Sequence, residues 1–221
     1  MRALLRFAPT FLLIALSATQ ALSAGQFLPV VNPNFANIPI ECSTGYAYQG
    51  LKGATCTSQY FPAQAFNGAP GMSWVLTPNW AAQHEVPGSA GVTGPNTAFN
   101  PPSFIGLPFS RAAFIQGPNS EVAQTIFGFA AGQPYLLAFS LGSRYVIGPG
   151  DGNQTVEVYI DNRSIATFSL VSDTPFTNRT VFFEVATNGP HILRFVGVAS
   201  GDHTAFLSGV SIRTVDAFDK N

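Results

Sequence analysis

The stretch that most constrains this chain is 111–144, RAAFIQGPNSEVAQTIFGFAAGQPYLLAFSLGSR. It holds three short apolar runs, Arg111–Gln116, Glu121–Phe127 and Tyr135–Leu141, separated by Gly-Pro-Asn-Ser and Ala-Ala-Gly-Gln-Pro. Each run is too short for a stable helix and each break carries turn chemistry, so three strands are predicted. In the third run Tyr135, Leu137, Phe139 and Leu141 share one face, while Leu136, Ala138 and Ser140 share the other. One bulky face and one small face suit a strand inside a two-sheet sandwich.

The pattern continues on both sides. Downstream, Thr155–Ile160 and Arg163–Leu170 flank Asp161-Asn162, which reads as a two-residue hairpin turn. Thr180–Val185, His191–Val198 and Thr204–Arg213 follow. Upstream, Gln26–Val31, Met72–Thr77 with Trp74, and Trp80–Val86 read as strands. A long strandless connection, Pro87–Ser110, thick with Gly, Pro and Asn, leads into the core stretch. About ten strands at close spacing, with no sustained helical period, predict an all-β two-sheet jelly roll. Composition agrees: 21 Gly, 17 Pro and 20 Phe against only 10% charged residues point to many turns around a phenylalanine-rich core.

The N-terminus reads as an address. Arg2 and Arg6 precede the apolar run Phe11–Leu16, and small residues lead to Ala24. This is the pattern of a secretory signal peptide over 1–24, and the apolar run is shorter than the roughly 20 residues of a membrane span. One domain is expected over 25–215, followed by a polar tail at 216–221. The mature protein is expected outside the cell, unanchored. Without Arg2 and Arg6, eight basic residues face eleven acidic ones, and no basic run occurs, which argues against a nucleic-acid partner.

Cys42 and Cys56 lie in a Gly/Ala/Thr-rich segment with no strand pattern. In an exported chain they are expected to form one disulfide, pinning the excursion Glu41–Pro70. Closing a loop of this length contributes about 3 kcal/mol at most in the loop-entropy account.

Several runs resemble a known family. They are Asn34-Phe35, Trp74, Ala113–Gly117, Val122–Ile126, Ala131–Ser140 and Asp202–Val210. Together they resemble the galactose-binding-like jelly rolls of extracellular carbohydrate-binding modules. They are especially similar to a plant-type cell-wall family catalogued as a domain of unknown function and reported to bind wall polysaccharides. The resemblance spans roughly 27–213 and implies a polysaccharide ligand. Two positions depart from it. Ala36 stands where the family often has an acidic residue after the Asn-Phe pair, and Ser208-Gly209 where an acidic residue often precedes the last-strand Val. Those family positions help hold calcium, which needs six or more oxygens. No cofactor is therefore expected, although Asp151, Asn153 and Asp202 could supply a different calcium site.

Catalytic signatures are absent from the sequence: there is no Gly-x-Ser-x-Gly elbow and no His-Glu-x-x-His. His84-Glu85 and Asp202-His203 are sequence neighbours, and neighbours on a strand point to opposite faces. His84, His191 and His203 are the histidines, and Glu121, Glu157 and Glu184 read as outward strand positions with nothing to single out a pair. The chain is expected to be non-catalytic.

Sugars present flat apolar faces rimmed with hydroxyls, so their sites pair aromatic rings with fixed polar groups. Trp80, Arg144, Tyr145, Asp151 and Asn153 are the candidate ligand-binding residues, because they lie at strand ends and in the Gly148–Asn153 turn. The expected function is a secreted, non-catalytic carbohydrate-binding protein. The alternatives are a structural or adhesive extracellular protein and, third, a glycoside hydrolase or lyase. Oligomeric state is not legible.

Overall fold

The computed structural model describes residues 25–36, 46–49, 59–61, 74–77, 89–95, 97, 101–145 and 153–216. The leader, Cys42 and Cys56, the expected strand at 80–86 and the tail beyond Asp216 lie outside the described residues. Twelve strands are present among the described residues. They are β1 (Tyr46–Gln49), β2 (Gln59–Phe61), β3 (Trp74–Thr77), β4 (Ser89–Thr93), β5 (Ala112–Gln116), β6 (Glu121–Phe129), β7 (Pro134–Ser143), β8 (Thr155–Ile160), β9 (Arg163–Ser169), β10 (Thr177–Glu184), β11 (Gly189–Gly197) and β12 (Thr204–Thr214).

The strands form two sheets, a seven-stranded one in the order β10-β7-β12-β5-β4-β1-β2 and a five-stranded one in the order β3-β6-β11-β8-β9. All pairings are antiparallel except β1 with β2. The expected all-β sandwich is what the chain forms.

Alternation along the strands builds the core. Tyr135, Leu137, Phe139 and Leu141 of β7 are buried, as are Val156, Val158 and Ile160 of β8 and Leu193 and Phe195 of β11. Phe139 meets Phe195 edge-on across the sandwich, with ring centroids 5.0 Å apart. Trp74 is fully buried, stacks near Phe35 at 5.1 Å and donates its indole N–H to the Asn32 carbonyl. Phe35 of the Asn34-Phe35 pair thus serves the core. Gln124 also points inward, and its side-chain amide exchanges two hydrogen bonds with the backbone of Val31. A buried amide with both ends paired avoids the cost of an unsatisfied group, and here it docks the N-terminal segment as a strand would.

Three expectations need correction. The segment Gln26–Val31 contributes a single bridge, Phe27 to Arg213. Its backbone meets that of β12 only through the Thr214 amide to the Gln26 carbonyl and the Leu28 amide to the Ile212 carbonyl. By Val31 the Gln124 side chain takes the backbone bonds instead. The cystine excursion was expected to lack strands, yet it contains β1 and β2. The connection Pro87–Ser110 was expected to be strandless, yet it contains β4, which sits between β1 and β5. The Ser-Ala-Gly-Val-Thr run of β4 has small side chains on both faces and therefore shows no bulky alternation. Later in that connection, Phe104 and Phe109 lie over the outer face of the larger sheet. Phe104 and Phe176 pack there against Ala112, Phe114 and Phe206, and Phe109 meets Phe176 at 5.2 Å.

The two ends of the sandwich differ. At the loop end, β5, β7, β9 and β11 finish and β6, β8, β10 and β12 begin. At the turn end lie the short β6–β7, β8–β9 and β10–β11 connections.

Candidate functional site

At the loop end, Arg144 directly follows β7. Its amide donates to the Thr204 carbonyl at 3.1 Å, and its carbonyl accepts from the Asp173 amide at 3.1 Å. Backbone bonds to two different elements hold it in place. Its guanidinium reaches Asp202, Nη1 to Oδ2 at 3.0 Å, and the other Asp202 oxygen accepts from Gln116 Nε2. Arg144 is mostly covered while the Asp202 side chain is 45% exposed, so the carboxylate faces solvent with its donors beneath it. Tyr145 follows, 62% exposed.

Asn153 precedes β8 at the same end. Its Oδ1 accepts from the Ser172 amide at 2.9 Å and from the Ser172 hydroxyl. The loop after β9 therefore ties Asn153 on one side to Arg144 on the other, with Ser143 Oγ donating to the Val171 carbonyl and accepting from the Thr174 amide. Of the five residues expected to bind ligand, Arg144, Tyr145 and Asn153 share this end. Trp80 and Asp151 lie outside the described residues.

The residue that organises the site was not singled out from sequence. Gln154 is 1% exposed, and its Nε2 donates to the His203 carbonyl at 2.8 Å. Its Oε1 accepts from the amides of Thr155 and Ala199, both at 2.9 Å. One side chain thus staples the start of β8 to the β11–β12 loop that carries Asp202. Backbones also close in tightly: a Cβ on Gly197 would lie 2.5 Å from the Gly117 carbonyl oxygen. Gln116 escaped notice because it ends an apolar strand, and only the pairing of Gln116 with Thr204 brings it to Asp202.

The arrangement suits hydroxyl recognition better than cation binding. The oxygens of Asp202 and Asn153 already accept from Gln116, Arg144 and Ser172. No group of three or more His, Cys, Asp or Glu side chains is placed to hold a metal among the described residues. Calcium's demand for six or more oxygens is not met by Asp202 and Asn153.

The turn end holds a second polar cluster. His191 of β11, only 8% exposed at its side chain, sits with Nδ1 2.6 Å from Asp161 Oδ2 and Nε2 2.9 Å from the Thr187 carbonyl. Asp161 occupies the β8–β9 turn at φ 54°, and its other oxygen accepts from the Ile192 amide at 2.9 Å. The two residues lie thirty positions apart, so no local motif announces the pair. Burial alone would lower the His191 pKa. The hydrogen bonds to Asp161 and Thr187, with the Asp161 charge, outweigh that and hold it above the usual histidine value. Burial works to raise the Asp161 pKa, but the Ile192 amide and His191 win and hold it below the usual range. An open pocket of about 290 Å³ adjoins the pair, lined also by Asn162, Arg163 and Glu184.

The outer face of the smaller sheet carries a cross-strand network. Arg194 grips Glu121 through Nε at 2.8 Å and Nη2 at 2.5 Å, and lies over the Tyr159 ring, whose hydroxyl donates to Glu157. Glu121 and Glu157 face outward as expected, but Glu121 is held in an ion pair and is not simply solvated.

No protein-family model and no curated protein sequence matches the chain. Among solved structures, the apo form of a cyclase from Fischerella sp. is similar over 87% of this chain and 98% of its own, at 13% identity and a TM-score of 0.58. A Stig cyclase from Fischerella sp. TAU, solved with (3Z)-3-(1-methyl-2-pyrrolidinylidene)-3H-indole, is similar over the same shares at 15% identity and a TM-score of 0.57. The CBM22-1 xylan-binding domain from Paenibacillus barcinonensis is similar over 69% of this chain and 92% of its own, at 10% identity and a TM-score of 0.43, too loose a likeness to bear on ligand. At these identities the likeness to the cyclases extends to the β-sandwich and not to its chemistry.

Proposed function

We propose that this chain is an exported, non-catalytic glycan-binding β-sandwich whose recognition surface is the loop end. The observation that carries the reading is the Asp202 carboxylate, held by Gln116 and Arg144 and open to solvent, with the exposed Tyr145 next in sequence to Arg144. A carboxylate with fixed donors accepts sugar hydroxyls, and an exposed ring stacks on the apolar face of a pyranose. Strand ends and the Gln154 staple hold these groups in place before a ligand arrives, which lowers the ordering cost of binding. Trp80 and Asp151 belong to the same surface in this reading, and the finer assignment is to the plant-type cell-wall family. Export through the 1–24 leader and a Cys42–Cys56 bridge complete it.

The non-catalytic reading is supported by how the acid–base groups are spent. Both His191 nitrogens face acceptors, and both Asp202 oxygens accept from side chains. The test is retention of the mature chain on insoluble polysaccharides, competed by soluble sugar, with reducing-sugar release followed in parallel. Retention lost in Tyr145→Ala and Asp202→Asn, with no sugar released, supports the reading. Turnover of a glycan overturns the non-catalytic part, and unimpaired retention in both variants overturns the site. One observation favours an adhesive second reading. Ile105, 93% exposed at the tip of the Phe104–Leu107 turn, presents an apolar side chain outward on a well-anchored segment.

A further inference from the structure

We propose that the His191–Asp161 pair is a proton-operated latch that fastens the β10–β11 connection to the β8–β9 turn at the turn end, independently of the glycan-binding reading. The geometry counts hydrogens. Nδ1 faces the Asp161 carboxylate oxygen at 2.6 Å and Nε2 faces the Thr187 carbonyl oxygen at 2.9 Å. Neither atom can donate, so both ring nitrogens must. A neutral imidazole has one N–H and an imidazolium has two, so only the charged ring satisfies both contacts. The ring is 8% exposed at its side chain and packs edge-on against Phe129, leaving little water to substitute for a lost partner.

Loss of the proton undoes one link in a defined order. Asp161 remains ionised and keeps the Nδ1 hydrogen, so Nε2 gives up its own and becomes an acceptor facing the Thr187 carbonyl. Two lone pairs at that distance repel. The Thr187 hydroxyl, 3.4 Å from Nε2, is placed to donate in its stead. The neutral ring therefore exchanges carbonyl for hydroxyl and releases the Thr187 backbone. That backbone belongs to a connection that holds other groups: the Ala131 amide donates to Asn188 Oδ1 and the Gly132 amide to the Val185 carbonyl. Freeing Thr187 loosens both, and with them the wall of the pocket formed by Val185, Ala186 and Thr187.

The other charged groups around the ring are few. Asp161 comes from the β8–β9 turn, and Arg194 of β11 donates Nη1 to the Asp161 carbonyl while it also grips Glu121 of β6 and lies over Tyr159 of β8. Arg163 and Glu184 line the adjoining pocket, with the Arg163 guanidinium donating to the Glu184 carbonyl. Phe129 of β6 contributes no charge. Among the described residues Asp161 is thus the one anion in contact with the ring, and the latch is closed on the acid side and opened by rising pH.

The experiment is a pH titration of the folded full-length mature chain, followed by imidazole nitrogen shifts and by amide exchange. The expected result has both His191 nitrogens protonated at pH 6.5. As His191 loses its proton, the protection factors of the Ala131 and Gly132 amides, corrected for the base-catalysed rise in intrinsic exchange, fall about tenfold, the scale of one lost hydrogen bond. Protection factors at the loop end, such as that of Ala199, stay unchanged over that range. Asp161→Asn moves the His191 midpoint down, and Thr187→Val keeps the midpoint's sense but leaves the neutral ring without its replacement donor, enlarging the exchange change. A single-N–H neutral His191 at pH 6.5, or Ala131 and Gly132 amides indifferent to its titration, overturns the proposal. Both readouts come from the unsubstituted protein, so a variant that fails to fold does not leave the question open.

Discussion

The two ends of the sandwich hold comparable sets of polar residues and use them in opposite ways. Both ends pair a covered cation with a carboxylate about half exposed: Arg144 at 15% with Asp202 at 45% at the loop end, and His191 at 8% with Asp161 at 48% at the turn end. What differs is the cation. At the loop end a guanidinium supports the carboxylate, and Tyr145, next in sequence to Arg144, is 62% exposed. At the turn end the ring's two nitrogens are both committed, and charge taken into the protein must be matched there, so the ring fastens elements together. The backbone accounts for the difference. At the loop end Gln154 satisfies main-chain groups from underneath and leaves the surface side chains outward. At the turn end the side chains of Asp161 and His191 satisfy the main chain themselves.

The largest test of this contrast is Gly197→Ala. The added methyl would meet the Gly117 carbonyl oxygen at 2.5 Å and Ile115 Cγ2 at 2.9 Å, so the β5–β6 turn must move. A loss of about 3 kcal/mol is expected from overpacking against backbone, read by chemical denaturation. A neutral result would mean that the loop end is not held by this approach. Gln154→Ala follows, at about 2 kcal/mol, because it strands the partly buried Thr155 and Ala199 amides, while the His203 carbonyl keeps its bond from the Gly117 amide. Glycan retention should fall with it, since Asp202 rides on the loop that Gln154 holds.

Proton linkage tests the turn end. The folded His191 pKa is raised, so the pair's contribution is fully present below the unfolded value of 6.5 and is lost as pH rises through the folded value. The folded Asp161 pKa is lowered, so its contribution is present above the unfolded value of 3.8 and is lost as pH falls through the folded value. Stability should therefore peak between the two, and His191→Gln should remove the decline on the alkaline side. An alkaline decline that survives in His191→Gln assigns it to another group. The smallest stability effect belongs to Tyr145→Ala. An exposed ring outside the core should shift stability by no more than about 0.5 kcal/mol, while glycan binding drops by about 1–3 kcal/mol. Equal losses in both measurements would make Tyr145 a structural residue.

Much of this protein was legible from local pattern. The alternation of Tyr135, Leu137, Phe139 and Leu141 fixes which side of β7 is inside, because a strand's side chains alternate with a period of two whatever surrounds them. The Asp161-Asn162 turn and the late strands followed from the same local rules. β1 and β2 escaped because four and three residues are too few for a period to stand out, and β4 because its Ser-Ala-Gly-Val-Thr run has no bulky face; all three are held by hydrogen bonds to their neighbours. Placing Arg144, Tyr145 and Asn153 at strand ends was within reach of the sequence, and their convergence on one patch could be expected from it; the hydrogen bonds that hold them there could not.

The remainder was decided by tertiary structure alone. His191 meets Asp161 because β11 pairs with β8 in one register, with Leu193 opposite Ile160. Asp202 meets Gln116 and Arg144 because β12 lies between β5 and β7. Hydrophobic period is a property of a few consecutive residues and survives in the sequence. Hydrogen-bond partnership between side chains thirty to eighty-six positions apart depends on strand order and register, which many alternating sequences could satisfy differently. That is why the chain itself specifies a β-sandwich and its inner faces, while the folded sheets alone specify which polar groups stay open to a ligand and which close upon each other.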